Sequence, residues 1–95
     1  MTTQCKRLLI QGRVQGVGYR ASLRYEAIAL GLHGWVRNRQ DGSVEACVDG
    51  EVPAIEAIIV WAKRGPRGAQ VSHVSVEDLG TQALTDGAFS ILPTL

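Results

Sequence analysis

The spacing of apolar residues changes repeatedly along this chain, and the order of those changes restricts the fold more than any other feature. Recurrence at every second residue predicts four strands, at residues 6–14, 34–39, 44–49 and 71–77. Recurrence at helical spacing predicts two helices, one over residues 19–30 and one that begins near Pro53 and ends at Gly65-Pro66. The predicted order is therefore strand–helix–strand–strand–helix–strand.

A last apolar segment, AFSIL at residues 88–92, predicts a short fifth strand, which Pro93 limits to an edge of the sheet. Two βαβ units of this length close most simply as a split βαβ sandwich. We therefore expect an α+β, ferredoxin-like fold with an antiparallel sheet and both helices on one face. In that topology the first two strands run parallel, so their ends lie at the same edge.

The apolar positions also predict which faces are buried. The first helix, ended by Gly31, carries one stripe: Ala21, Tyr25, Ile28 and Leu32. The second helix buries Ile55, Ile58, Ile59 and Ala62. In a half-buried third strand, Val44, Ala46 and Val48 alternate with Glu45, Cys47 and Asp49. Asp41-Gly42, just before that strand, predicts a hairpin with a type I′ turn.

Composition narrows the kinds of partner. Residues 1–95 suffice for one domain, with 45% hydrophobic and 20% charged residues. Ten basic residues against nine acidic ones make a poor surface for nucleic acid, so any bound anion must be recognised locally. With no apolar run of the roughly 20 residues that span a bilayer, and no signal peptide, we expect no membrane association and a cytoplasmic location.

A glycine-rich segment, GRVQGVGYRA at residues 12–21, separates the first strand from the first helix. It contains G-x-G-x-x-G/A, and turns of this kind between a strand and a helix commonly bind phosphate through backbone N–H groups. The N–H groups of residues 15–19 (Gln15, Gly16, Val17, Gly18 and Tyr19) can surround one tetrahedral anion. Arg20 can then offer a bidentate fork to two of its oxygens. Alternatively, the glycines serve only a tight turn and Arg20 is solvated.

Other phosphate-binding folds fit less well. A dinucleotide-binding fold needs a longer doubly wound sheet, and the hairpin already explains Asp41, the acidic residue at the right distance. No Gly-Lys-Ser/Thr follows the glycines, which excludes a P-loop. The first and third strands carry no aromatic residue, which argues against an RNA-recognition motif. A small phosphate cradle that ends in Arg20 remains.

Asn38 stands at the end of the second strand, on the edge where the glycine loop is expected. Its carboxamide offers a donor and an acceptor without charge. An Asn that merely closes a strand before a hairpin is the competing interpretation. Three further cations, Arg13, Arg37 and Arg39, are expected to add some positive potential near the loop.

Together, GRVQGVGYR (residues 12–20) and GWVRNRQDGSVE (residues 34–45) resemble the acylphosphatase family. The family's motifs are G-R-V-Q-G-V-x-F/Y-R and G-W-V-x-N, followed by a D-G-S/T-V hairpin. General similarity extends from about residue 5 to residue 91. The chain departs from the family at its end, Phe89 to Leu95, where a basic or aromatic residue is usual. We therefore expect the changed tail to affect stability and any contact between the C-terminus and the site more than it affects the chemistry.

The resemblance implies hydrolysis of the carboxyl–phosphate bond of acyl phosphates, without a metal or an organic cofactor. It implies that the loop amides and Arg20 bind the phosphoryl group and that Asn38 positions the attacking water. Inorganic phosphate is then both product and inhibitor. A phosphate-sensing module that does no chemistry is the alternative. Similar domains also occur within carbamoyl-transferring enzymes, and the initiator Met favours a free-standing protein.

Four side features complete the expectations. His33 and His73 lack the spacing of metal ligands. Cys5 and Cys47 should share the open face of neighbouring strands, where a disulfide is conceivable although thiols are the default. No segment offers an evident pocket for the acyl group, which predicts broad substrate tolerance. A near-neutral surface without a repeated apolar motif makes a monomer the simpler expectation.

Overall fold

The computed structural model describes residues 3–81 and 87–95, which form one mixed sheet with helices packed on it. The elements are β1 (Thr3–Arg13), α1 (Tyr19–Ala29), β2 (His33–Asn38), β3 (Val44–Glu51), α2 (Val52–Arg64), β4 (Gln70–Asp78) and β5 (Phe89–Ile91). The predicted element order is thus confirmed. Neither helix reaches the length and apolarity of a membrane-spanning helix.

The strand order in the sheet is β4-β1-β3-β2-β5. Both β1 and β2 pair antiparallel with β3, so they run parallel to each other, as expected. Val44 pairs with Ile10 of β1 and also with Asn38 of β2, which brings the ends of β1 and β2 to one edge. The edge strand β5 runs parallel to β2, so the sheet is mixed rather than wholly antiparallel.

Both helices cover the same face of the sheet, with α1 over β2 and β5 and α2 over β1, β3 and β4. The core between them consists of inward-facing strand residues and one stripe of each helix. From the strands it takes Leu8, Ile10, Val36, Val44, Ala46, Val48 and Phe89. On α2 the buried residues are Ile55, Ile58 and Ala62, with Ile59 half-buried against them. The prediction for α2 is therefore confirmed.

The predicted stripe of α1 is wrong. Tyr25 is 74% exposed and Ile28 is 51% exposed, and Ala21 is also exposed. The buried residues of this helix are Tyr19, Leu23 and Ala27 instead. The Tyr19 hydroxyl donates to the carbonyl of Ala62 at 2.7 Å, so the first residue of α1 is anchored in the core and sets the rotation of the helix.

The end of α1 follows expectation. Gly31 has φ +74°, its N–H donates to Ile28 O at 3.0 Å, and the N–H of Leu32 donates to Ala27 O at 2.9 Å. These two bonds form a Schellman motif, which needs a left-handed residue where Gly31 stands. Leu32 is buried, as the spacing predicts.

The β2–β3 hairpin is present, but its turn is not type I′. Such a turn needs two left-handed residues, and among the described residues only glycines have positive φ. Gly42 (φ +94°) closes a three-residue loop in which its N–H donates to Arg39 O at 3.1 Å. The Asp41 carboxylate accepts from the N–H and the hydroxyl of Ser43, at 2.9 and 2.6 Å. These bonds favour the longer loop over a two-residue turn.

Candidate active site

The glycine loop leaves β1 after Arg13 and enters α1 at Tyr19. Gly16 and Gly18 both have φ +76°, and a Cβ at either position would meet nothing within 4 Å. Glycine is therefore needed here for its backbone conformation rather than for space. No hydrogen bond within residues 3–81 and 87–95 uses the N–H groups of residues 15–21. These donors are thus available to an anion, at the positive end of a helix dipole.

These residues line a pocket of about 230 Å³. Its walls are Val14, Gln15, Gly16, Gly18, Tyr19, Arg20, Ala21, Asn38 and Ile91. Arg20 and Asn38, which lie 18 positions apart in sequence, therefore face one cavity. Of the predicted phosphate-binding residues, only Val17 does not line it.

Arg20 occupies the second residue of α1 and is half-buried. Within the described part of the chain, no carboxylate forms an ion pair with its guanidinium. A cation beside a helix N-terminus repels the helix dipole, which favours an anion as their shared partner. The geometry of the pocket is thus suited to a phosphoryl group.

The backbone of Asn38 is held on both sides. Asn38 pairs with Val44 of β3, and the Asn38 carbonyl accepts a hydrogen bond from the N–H of Leu95 at 3.0 Å. Leu92 N–H donates in the same way to Val36 O at 2.9 Å, so the C-terminal tail continues the ladder of β5 along β2. In the described residues no partner engages the Asn38 carboxamide, which remains available in the pocket. The atypical tail therefore reaches the site through its backbone.

Sequence reasoning missed two hydrogen bonds of the Gln15 side chain. Its side-chain Nε2 donates to Arg39 O at 2.8 Å and to Ser43 O at 2.9 Å. These bonds tie the glycine loop to the hairpin that follows Asn38. No sequence pattern reveals them, because both acceptors are backbone atoms that the hairpin loop brings near Gln15.

The side chain of Tyr19 serves the core rather than the ligand. Its ring packs on Trp61 with centroids 5.4 Å apart, and burial raises the pKa of the Tyr19 hydroxyl well above its ordinary value. Val17 packs against the same core, at its edge. Any role of these two residues toward phosphate would thus belong to their backbone N–H groups.

Arg37 and Arg39, two of the three cations expected near the loop, form ion pairs with a carboxylate on β3. Glu45, only 3% exposed, pairs with Arg7 at 2.6 Å, Arg37 at 2.7 Å and Arg39 at 3.3 Å. Burial alone would raise the pKa of Glu45, but the hydrogen bonds and charges of its arginine partners outweigh burial and lower that pKa. Since Glu45, Cys47 and Asp49 are all buried, β3 is buried on both faces rather than half-buried.

Cys5 and Cys47 share the face of the sheet that Glu45 occupies, as predicted. Both are buried free thiols, with sulfur atoms 3.6 Å apart. Burial, followed by the hydrogen bond with Cys5, raises the pKa of Cys47 to about 12. Cys47 is therefore protonated at neutral pH. Elsewhere, His33 and His73 are exposed, and no group of three metal-ligating side chains forms among residues 3–81 and 87–95.

Comparison with known proteins identifies the family. The acylphosphatase family model matches residues 6–91. An acylphosphatase from Azoarcus sp. (strain BH72) is 55% identical over 94 residues, which cover 98% of this chain and 93% of the relative. The structure of an acylphosphatase from Coxiella burnetii superposes with a TM-score of 0.87 at 35% identity, covering 96% of this chain and 94% of that one.

A longer protein contains the same fold. T. kodakarensis HypF matches with a TM-score of 0.77 at 28% identity, over 96% of this chain but only 12% of that one. The matched relative from Azoarcus is of similar length to this chain, and the matched family model spans both the glycine loop and Asn38. With its motifs, its fold and its near-full-length relatives in agreement, the chain belongs to the acylphosphatase family.

Proposed function

We propose that this chain hydrolyses acyl phosphates to a carboxylate and inorganic phosphate, with the phosphoryl group bound in the glycine-loop pocket. The observation that carries the proposal is a set of donors around one cavity that no other described residue engages: the N–H groups of residues 15–21, the Arg20 guanidinium and the Asn38 carboxamide. Membership in the acylphosphatase family supports the same reaction.

In this proposal the loop N–H groups and Arg20 hold the phosphoryl oxygens. The planar guanidinium donates to two oxygens at once, which fixes the orientation of the phosphorus and offsets its developing negative charge. An acyl phosphate already has a good leaving group, so alignment and charge stabilisation supply most of what the reaction needs.

Asn38 positions the attacking water. Its carboxamide oxygen accepts a hydrogen bond from that water, whose oxygen forms the new P–O bond while the bond from phosphorus to the acyl oxygen breaks. The carboxylate leaves with the electron pair. Among the described residues no Asp, Glu or His lines the pocket, and in this proposal an oxygen of the phosphoryl group accepts the proton of the water.

The test is release of inorganic phosphate from acetyl phosphate and benzoyl phosphate, with added phosphate as inhibitor. We expect turnover of both substrates and competitive inhibition, because product and substrate occupy one pocket. Phosphate binding without turnover would favour the phosphate-sensing alternative. Non-competitive inhibition would place the phosphate site away from the chemistry.

Further parts of the proposal concern surroundings and assembly. Neither family motif supplies metal ligands, so we propose a reaction that needs no metal or organic cofactor. We also propose that residues 1–95 act as a single domain and a monomer in the cytoplasm. Sedimentation of the purified chain at micromolar concentration should show one species of monomer mass.

A further inference from the structure

A second, larger cavity lies directly beside the phosphate pocket. This groove, of about 710 Å³, runs between the first turns of α1 and the segment at residues 65–69 that follows α2. Ala21 lines both the groove and the phosphate pocket, so the two cavities are adjacent. No segment of the sequence suggests this groove, because distant parts of the chain form its walls.

The glycine loop packs against one wall of the groove. A Cβ built on Gly68 would lie 3.9 Å from Cγ1 of Val17, and one on Gly65 would lie 2.9 Å from the Tyr19 ring. Trp61, which lines the groove, is the residue on which Tyr19 packs. The groove is therefore positioned by the same contacts that position the glycine loop.

The groove combines apolar wall residues with charged side chains, of which Arg64 and Arg67 are cationic and Glu26 is acidic. Tyr25, Trp61 and Pro66 provide flat apolar surface, and Tyr25 is 74% exposed. Arg64 and Arg67 are exposed, and neither forms an ion pair within residues 3–81 and 87–95. The volume of the groove is in the range of about 300–1,000 Å³ typical of small-molecule sites.

We propose that this groove binds the acyl group of the substrate and prefers acyl groups with a flat apolar body that ends in a carboxylate. The inference rests on the proposed function, since the phosphoryl group must first occupy the neighbouring pocket. A small acyl group such as acetyl leaves the groove unfilled. A longer one reaches Tyr25 and Trp61, and its terminal carboxylate then meets Arg64 and Arg67.

The experiment compares kcat/KM for benzoyl phosphate and for the monophosphoryl anhydride of terephthalic acid, which adds a carboxylate at the far end of the ring. In the unaltered protein the second substrate should be preferred. Since an exposed ion pair contributes about 0.2–1 kcal/mol, the loss of both pairs in Arg64→Ala with Arg67→Ala should reduce that preference by about two- to 30-fold. Lys63→Ala is the matched control, an exposed cation on α2 that does not line the groove, and should leave the preference unchanged.

Tyr25→Ala gives a second readout, with no risk to the core because this side chain is largely exposed. It should lower kcat/KM for benzoyl phosphate relative to acetyl phosphate by about threefold, the scale of one aromatic contact. Inhibition by inorganic phosphate should stay unchanged in every groove variant. An unaltered substrate preference in the double arginine variant would overturn the groove assignment alone. Absence of phosphate release from any substrate would overturn the proposed function and this inference together.

Discussion

Neutralising Glu45 should destabilise the fold without touching the candidate site. In Glu45→Gln the side chain keeps its shape and its oxygen, but Arg7, Arg37 and Arg39 lose the carboxylate with which all three form ion pairs. Removing one partner of a fully buried ion pair costs about 3–5 kcal/mol. Here the arginine side chains are 32%, 24% and 30% exposed, so water can partly replace the carboxylate. We therefore expect a loss of about 2 kcal/mol, closer to that of a charged hydrogen bond.

The pH dependence of the unfolding free energy tests the same prediction independently. The pKa of Glu45 is lower in the folded protein than its ordinary value near 4.5, so between those two pH values the unfolded chain binds more protons. The stabilisation from Glu45 is thus complete above its unfolded pKa and is lost as pH falls through the folded pKa. The gap between the unaltered protein and Glu45→Gln should be widest at neutral pH and shrink below pH about 4.5.

Urea denaturation at pH 7 and at several values down to pH 3 measures both effects. Glu56→Gln, an exposed carboxylate of α2 with no ion pair among the described residues, is the matched control and should change the unfolding free energy little. A Glu45→Gln variant within about 0.5 kcal/mol of the unaltered protein at pH 7 would refute the account of this cluster. So would a gap that does not change with pH.

Three further predictions address packing, the tail and metals. Gly34→Ala should lower the free energy of unfolding by more than about 3 kcal/mol, or show no folded signal by circular dichroism, because its Cβ would overlap the carbonyl of Cys47. Gly16→Ala has open space around its Cβ and should lower the free energy of unfolding by only about 1–2 kcal/mol, through backbone strain. Leu95→Pro removes the N–H that donates to Asn38 O and should lower kcat, whereas Leu95→Ala keeps that donor and should leave kcat unchanged. Equal kcat values for the two variants would contradict a positioning role for the tail. Treatment with EDTA should leave phosphate release unchanged, and a loss that a divalent cation restores would contradict metal independence.

Local sequence patterns predicted the elements well because strand and helix periods differ clearly. They also placed Arg20 and Asn38 at one edge, since the split βαβ topology makes β1 and β2 parallel whatever the side chains are. The rotation of α1 could not be obtained in this way. Two stripes of the helix are apolar, and the buried one carries Tyr19, whose hydroxyl donates to the carbonyl of Ala62, 43 residues away.

The Glu45 cluster and the groove beside the glycine-loop pocket could not be predicted from the sequence for a related reason. The alternation of apolar and polar residues in β3 predicts that Glu45 faces solvent, because nothing nearby in the sequence indicates that it is buried. Its partner Arg7 becomes a neighbour only through the register of β1 on β3. The groove likewise requires α1, α2 and residues 65–69 to be packed together first.

Arg20 and Asn38 have different tasks in the proposed mechanism, and separating them by kinetics tests its central claim most directly. Arg20→Ala should weaken inhibition by phosphate and lower turnover, and Arg20→Lys should restore activity only in part because an ammonium lacks the bidentate fork. Asn38→Ala should lower kcat and kcat/KM nearly equally, by about 100-fold or more, and leave phosphate inhibition almost unchanged. Both variants should stay folded, since neither side chain belongs to the core. Full turnover by Asn38→Ala would contradict the mechanism and leave a phosphate-binding module in its place.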